Sequence, residues 1–251
     1  HAIHSQKILC RLSTLERLLP TVEAQAAAAG WSISQALTVL CAEEVAHRRA
    51  TQLEHDLHRA GLPQSMTLED FEVSIAFGTS GWPELLAPYL DRTFVDKGRN
   101  LIITGRPGRG KTALAVAIAT RAIQQGCTAR YLTLARLGEL LSGSGRMIDP
   151  APACRQQKVL IIDEIGYHPP LAKTTAALFA IVAARHHDRL PTILISNRDP
   201  ADWDEILADG YLTEAILDRL LERGQILPLT GPSFRTRHRS DASQPLTPTS
   251  S

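Results

Sequence analysis

The segment Gly105-Arg106-Pro107-Gly108-Arg109-Gly110-Lys111-Thr112 fits GxxxxGK[ST], directly after one apolar run and directly before a helix-forming one. It constrains the chain more than any other feature, because such a loop works only where a strand of a parallel sheet feeds a helix amino terminus. Its glycines let successive backbone amides curl around phosphate oxygens, and the following helix adds its dipole. The pattern predicts a nucleotide phosphate loop from Gly105 through Ala113. Lys111 is expected to reach the β and γ phosphates and Thr112 to ligate magnesium.

From residue 100 onward, short apolar runs alternate with helical stretches, the signature of an α/β domain with a parallel sheet and crossover helices. Strands are predicted at 101–104, 129–133, 159–163, 192–196 and 225–229, and helices at 112–125, 134–141, 172–185 and 211–221. The runs around Ile102, Ile161 and Ile193 are apolar on both faces, as strands covered by helices on both sides must be. Ahead of them, residues 5–60 read as three helical runs. The first carries Ile8, Leu12, Leu15, Leu18 and Leu19, and the second Ala36, Leu37, Leu40 and Val45 behind a capping Ser34. The third, 43–59, is richly charged and is stopped by Gly61-Leu62-Pro63. A connector with a helix at 84–96 then leads to the sheet. The expected organisation is a helical domain over 1–65, an α/β domain with its connector over 66–239, and a disordered Ser/Thr/Pro tail over 240–251.

A second constellation follows the loop. Val159-Leu160-Ile161-Ile162-Asp163-Glu164 is an apolar strand ending in two carboxylates, at the carboxyl edge where open parallel sheets keep their ligands. Asp163 is expected to hold magnesium, and Glu164 to orient or deprotonate an attacking water. A kinase that transfers phosphate to a bound hydroxyl needs no such glutamate, so the pair favours hydrolysis. A small-molecule kinase and an ATP sensor without turnover stand as alternatives. Asn197 ends a third apolar run, where it either bonds the γ-phosphate or the attacking water, or opens a turn before Asp199-Pro200. Arg219 and Arg223 lie four apart, and Arg235, Arg237 and Arg239 follow. A guanidinium can act across a subunit interface, or simply be solvated or paired with Asp218 or Glu222. His47, His55 and His58 have no neighbouring Cys and no HExxH spacing, and read as surface residues.

Charge narrows the partners. A net charge of +1 argues against a general positive field, so any DNA contact must be local. The small helical domain has as many acids as bases. Residues 142–158, rich in Gly, Ser and Pro, hold Arg146, Arg155 and Lys158 against Asp149 and are the better DNA-facing candidate. No apolar stretch approaches the ~20 residues of a membrane span, and residues 1–5 lack a secretion pattern. Cys10, Cys41, Cys127 and Cys154 are scattered without a CxxC pair, which fits reduced thiols in a cytoplasmic protein.

With these residues placed, the chain resembles the IstB family, the ATPase helpers of IS21-type transposons, relatives of the DnaC helicase loaders within the AAA+ class. The resemblance covers roughly residues 8–239. It is carried by Thr67-Leu68-Glu69-Asp70-Phe71, the phosphate loop, Ile161-Ile162-Asp163-Glu164-Ile165-Gly166-Tyr167, Ser196-Asn197, Ile216-Leu217-Asp218-Arg219-Leu220 and Ser233-Phe234-Arg235. It implies a helical amino-terminal domain before an AAA+ core, with ATP and Mg2+ as cofactors. It also implies homo-oligomers that assemble on duplex DNA with nucleotide at subunit interfaces, engage an IstA-like transposase and select target sites. Asn197 becomes a sensor of the γ-phosphate on a strand between those of the phosphate loop and Asp163, and Arg219 an arginine finger acting in trans. A DnaC-like replicative helicase loader is the alternative that shares nearly every motif. Two departures stand out: Arg106 and Arg109 occupy loop positions where the family more often has Pro and a small or β-branched residue, and His168-Pro169-Pro170 follows Tyr167.

Overall fold

The computed structural model describes residues 13–71, 82–142, 154–167, 172–231 and 233. The chain divides into two compact units, His1–His55 and Asp56–Ser251, with the division inside a helix.

The first unit holds α1, Ser13–Ala29, and most of α2, Ile33–Ala60. The runs expected at 34–45 and 43–59 form one continuous helix of 28 residues. No Gly or Pro interrupts it, and Arg48 reaches back one turn to Glu44 at 2.7 Å. Its start is set by Ser32 rather than Ser34. Ser32 N donates to Gln35 Oε1 at 2.8 Å and Gln35 N donates to Ser32 Oγ at 3.3 Å, a reciprocal pair that satisfies two helix-end amides.

The second unit opens with α3, Trp82–Leu86, a 3-10 turn at Ala87–Tyr89, and α4, Thr93–Asp96. The single helix expected at 84–96 is thus broken. Pro88 has no N–H to continue the ladder, and Asp91 accepts from Thr93 N at 2.8 Å in a turn that separates the two helices. The sheet elements follow in order: β1 Asn100–Thr104, α5 Lys111–Gln124, β2 Ala129–Thr133, α6 Leu134–Ser142, β3 Val159–Ile165, α7 Ala172–His187 and β4 Thr192–Ser196. A 3-10 turn at Pro200–Asp202, α8 Trp203–Ile206, α9 Gly210–Glu222 and β5 Gly224–Pro228 complete the unit.

The five strands lie in the order β2-β3-β4-β1-β5, and every neighbouring pair is parallel. β4, which leads to Asn197, lies between the strands of the phosphate loop and of Asp163, as the resemblance implies. Every residue of β1 and β4 is buried, because helices cover both faces. On one side Leu160, Ile162 and Leu194 meet Leu178 and Ile181 of α7, Trp203 of α8, and Ile216 and Leu220 of α9. Burying side chains of this size stabilises by about 1.5–3 kcal/mol each.

Asn100 ties the start of β1 to three neighbours. Its Nδ2 donates to Leu220 O at 3.1 Å, its Oδ1 accepts from Thr192 N at 2.9 Å, and its carbonyl accepts from the Tyr89 hydroxyl at 2.6 Å. No described helix is long and apolar enough to cross a membrane.

Candidate nucleotide-binding site

The chain leaves β1 into the loop at Gly105, whose φ is 139°. A Cβ there would stand 2.6 Å from Leu229 O, so no side chain fits between this loop and the segment following β5. Arg109 ties the same two segments together, its guanidinium donating to Leu229 O at 3.1 Å. Gly110, also at positive φ, precedes α5 and turns the chain into its first turn. Lys111 is only 7% exposed; its Nζ donates to Gly105 O at 2.6 Å and Arg106 O at 3.1 Å, folding the ammonium over its own loop.

Asp163 is 4% exposed and its carboxylate accepts at both oxygens. Oδ2 accepts from Thr112 Oγ1 at 2.7 Å and from the Tyr131 hydroxyl at 2.9 Å, and Oδ1 accepts from Glu164 N at 2.6 Å. The register explains how two adjacent carboxylates part company. Ile162 lies opposite Leu194 and Ile165 opposite Ser196, so β3 spends one residue more than β4 and bulges at this point. Glu164 takes up the bulge at φ 63°, a left-handed conformation that costs a non-glycine residue of order 1–3 kcal/mol. Its side chain is exposed while Asp163 and Ile165 on either side are buried. Strain of this kind persists where surrounding structure enforces it, and here it sits at the mouth of a cavity.

That cavity measures about 560 Å³. Gly108 through Ala113 line one side, and Tyr131, Asp163, Glu164, Tyr167 and Ser196 another. The connector supplies the rest, with Pro63, Gln64, Met66, Asp70 and Phe71 bringing apolar and sulfur-bearing surface to a phosphate cradle. Thr112 Oγ1 and the Asp163 carboxylate are hard oxygen donors 2.7 Å apart beside that cradle, a donor set that suits magnesium.

The sequence does not reveal Tyr131 as a site residue, and it marks Asp70 and Phe71 only as part of a family motif, not as cavity lining. Tyr131 lies on β2 two residues before Thr133, which pairs with Asp163, and only this register brings its hydroxyl to the carboxylate. Burial, and then the charge of Asp163, push the Tyr131 phenol well above its ordinary value, so it remains a neutral donor.

The remaining candidates fall in different places. Asn197 follows β4 with Oδ1 buried and without a hydrogen-bond partner among the described residues. That oxygen is 3.2 Å from where a Gly166 Cβ would stand, next to the end of β3. The turn reading also holds nearby, since Asp199 caps the 3-10 turn by accepting from Ala201 N at 3.0 Å. Arg219 does not line the cavity. It lies over the Phe179 ring at 4.9 Å from the centroid and donates to Ala215 O at 2.7 Å. Arg223 donates to the His186 carbonyl rather than to Asp218 or Glu222, and Glu222 pairs with His186 at 2.9 Å. Arg146, residues 168–170, Phe234, Arg235, Arg237, Arg239 and the 240–251 tail lie outside the described residues.

A parallel sheet of order β2-β3-β4-β1-β5, with a phosphate loop on β1 and a carboxylate pair on β3, defines a P-loop ATPase fold of the AAA+ class. Solved structures agree on the fold. DnaI superposes with a TM-score of 0.56 at 21% identity, over 67% of this chain and 89% of its own. DnaA bound to AMPPCP and single-stranded DNA gives 0.55 at 19% identity, over 74% of this chain and 58% of its own. Residues 6–242 match the family described as IstB-like ATP binding protein, and the chain belongs to that family. A Pseudomonas aeruginosa protein named as an ATP-binding protein of insertion sequence IS21 is 31% identical over 96% of this chain and 92% of its own length. The corresponding protein of insertion sequence IS5376 from Geobacillus stearothermophilus is 30% identical, covering 83% of each.

Proposed function

We propose that this protein is an ATP-hydrolysing, DNA-binding helper of transposition, whose ATP-bound form assembles on duplex DNA as a homo-oligomer, engages a transposase and selects the target. The observation that carries this reading is the contact of Thr112 with Asp163 at 2.7 Å beside Lys111, in a family whose relatives are named for insertion sequences. The helicase-loader alternative rests on likeness of fold.

The roles follow from the chemistry of each position. Gly105, Arg106, Pro107, Gly108, Arg109, Gly110 and Ala113 present backbone to the phosphates, and Lys111 exchanges its bonds to Gly105 O and Arg106 O for β and γ phosphate oxygens. Thr112 and Asp163 are the residues to hold Mg2+, which when bound neutralises charge on the phosphate oxygens. Glu164, exposed at the cavity mouth, orients a water and takes its proton, and the unpartnered Asn197 Oδ1 accepts from the same water. Arg219 reaches the γ-phosphate of a neighbouring subunit. Residues 1–65 form a helical domain, 66–239 the ATPase domain with its connector, and 240–251 a tail.

The test is ATPase rate with and without duplex DNA, together with particle size in ATP and in ADP. DNA-stimulated turnover and ATP-dependent growth into large assemblies are expected. Lys111→Ala is expected to bind ATP at least ~100-fold more weakly and to stop assembly on DNA. Assembly that persists in that variant contradicts the proposed switch.

A further inference from the structure

Opposite the nucleotide cavity, the amino edge of the sheet collects cations. Along the order β5-β1-β4-β3, the segments just ahead of the strands carry Arg223, then Lys97 and Arg99, then Arg189, then Arg155 and Lys158. With neighbouring strands about 4.8 Å apart, the row spans roughly 15 Å. All but Arg223 are exposed, and none of the exposed five makes an ion pair among the described residues.

The acids nearby are already engaged. Asp96 pairs with Arg92 at 3.4 Å, Glu222 with His186 at 2.9 Å, and Asp188 helps keep the buried Arg185 charged. Asp91 feels the charge of Lys97 but spends its carboxylate on Thr93. In a chain of net charge +1, this edge therefore holds a positive field that its own acids do not cancel.

The row is also held in place. A Cβ at Gly98 would meet Arg189 O at 2.5 Å, so the turn bearing Lys97 and Arg99 rests directly on the backbone of Arg189. Beside it, Lys97, Arg99 and Arg223 line a cavity of about 360 Å³. Arg223 Nε is buried and has no hydrogen-bond partner among the described residues. A donor left so is costly in the absence of an acceptor.

We propose that this amino edge is the surface on which the protein holds the sugar-phosphate backbone of duplex DNA. The inference rests on the DNA-binding reading above and names its surface. A linear polyanion fits better than a free phosphate because the cations spread along four strands instead of converging on one point. Lys and Arg predominate along the row, although Gln156 and Gln157 lie between Arg155 and Lys158 and Gln225 lies beside Arg223. Cations spread in a line serve phosphates rather than base edges, so the contact is independent of sequence.

The test uses the full chain with ATP and a fluorescent duplex of random sequence, followed by anisotropy across a salt series. Lys97→Gln, Arg99→Gln and Arg189→Gln are combined in one variant, and Arg155→Gln with Lys158→Gln in a second. Binding of a fluorescent ATP analogue and thermal melting report folding.

The triple variant is expected to bind duplex at least ~10-fold more weakly and to lose about 2–3 from the slope of log affinity against log salt, near 0.9 for each phosphate contact removed. The double variant is expected to move both quantities the same way by less, and it decides alone if the triple variant melts early. Wild-type affinity and slope in both variants overturn the inference while leaving DNA binding intact. Variants that bind DNA normally but fail to form oligomers also overturn it, since the edge is then a contact between copies. A wild-type protein that binds no duplex sinks the DNA-binding reading and this surface together.

Discussion

Lys111 and Arg185 are both cations taken out of water, one at each edge of the same sheet, and their hydrogen bonds differ in kind. Arg185 is fully buried at the end of α7. Its Nε donates to Thr192 Oγ1 at 3.1 Å, and its two amino groups donate to the carbonyls of Cys154 at 2.6 Å, Gln157 at 2.8 Å, Lys158 at 3.1 Å and Pro191 at 2.6 Å. A guanidinium has five N–H groups, so all are taken. Burial lowers its pKa to about 10, which leaves it charged at neutral pH. Lys111 instead donates to two carbonyls of its own loop, partners that phosphate oxygens can replace without disturbing any strand. A buried cation saturated by segments leading into β3 and β4 holds the fold, whereas one parked on its own loop waits for a ligand. Arg185 also fixes the backbone of Lys158 and Pro191, and with it the row of cations along the amino edge.

The comparison breaks most readily at Arg185. Arg185→Met takes the guanidinium from five acceptors, of which Pro191 O also accepts from Leu160 N at 3.4 Å, and is expected to cost about 3–5 kcal/mol in urea unfolding, with nucleotide affinity unchanged wherever the variant is folded. A loss under ~1 kcal/mol would remove the structural role assigned to this residue.

At the other edge, Glu164→Gln is expected to lower ATP turnover about 10²–10³-fold while retaining bound nucleotide, measured by phosphate release beside equilibrium binding. A protein that senses ATP without hydrolysis has no rate to lose, so a wild type without turnover refutes the hydrolytic reading.

Tyr131→Phe removes one donor from Asp163 at the cost of about 1 kcal/mol. The Mg2+ concentration for half-maximal ATP-analogue binding should rise several-fold, and ADP binding in EDTA should stay as it was. An unmoved Mg2+ midpoint means the phenol does not position the carboxylate.

The smallest effect sharpens the amino edge. Burial pushes the Tyr89 phenol up to about 12, from an ordinary value near 10. A raised pKa gives stability that is complete below pH ~10 and lost as pH rises through the folded value. The urea-midpoint advantage of wild type over Tyr89→Phe should therefore be flat below pH ~10 and shrink toward pH 12. A constant gap across that window would show that Tyr89 ionises as freely in the folded protein as in the unfolded one.

Much of the fold is legible in the residues because local pattern and tertiary context agree. The runs at 129–133 and 192–196 form β2 and β4 with the expected bounds, and each of the other strands starts and ends within two residues of its expected range. Apolar runs of this length, bounded by turn residues and alternating with helical stretches, leave little choice of architecture. The expectation at 84–96 fails because Pro88 and the Asp91–Thr93 turn outweigh helical periodicity, and the placement at Ser34 fails because the reciprocal bond of Ser32 with Gln35 needs both side chains at once.

At the site, GxxxxGK[ST] and the Asp163-Glu164 pair can be read along the chain because each is a local device built from consecutive residues. Tyr131, the connector from Pro63 to Phe71, the left-handed bend at Glu164, the saturated shell of Arg185 and the cations along the amino edge cannot. Each depends on strands far apart in sequence lying side by side in one register, a relation that local periodicity does not encode. The residues thus determined a phosphate loop, a sheet and two neighbouring carboxylates. Which oxygen meets which hydroxyl, and which cations stand without an ion pair among the described residues, was decided only when β2, β3, β4, β1 and β5 were laid edge to edge.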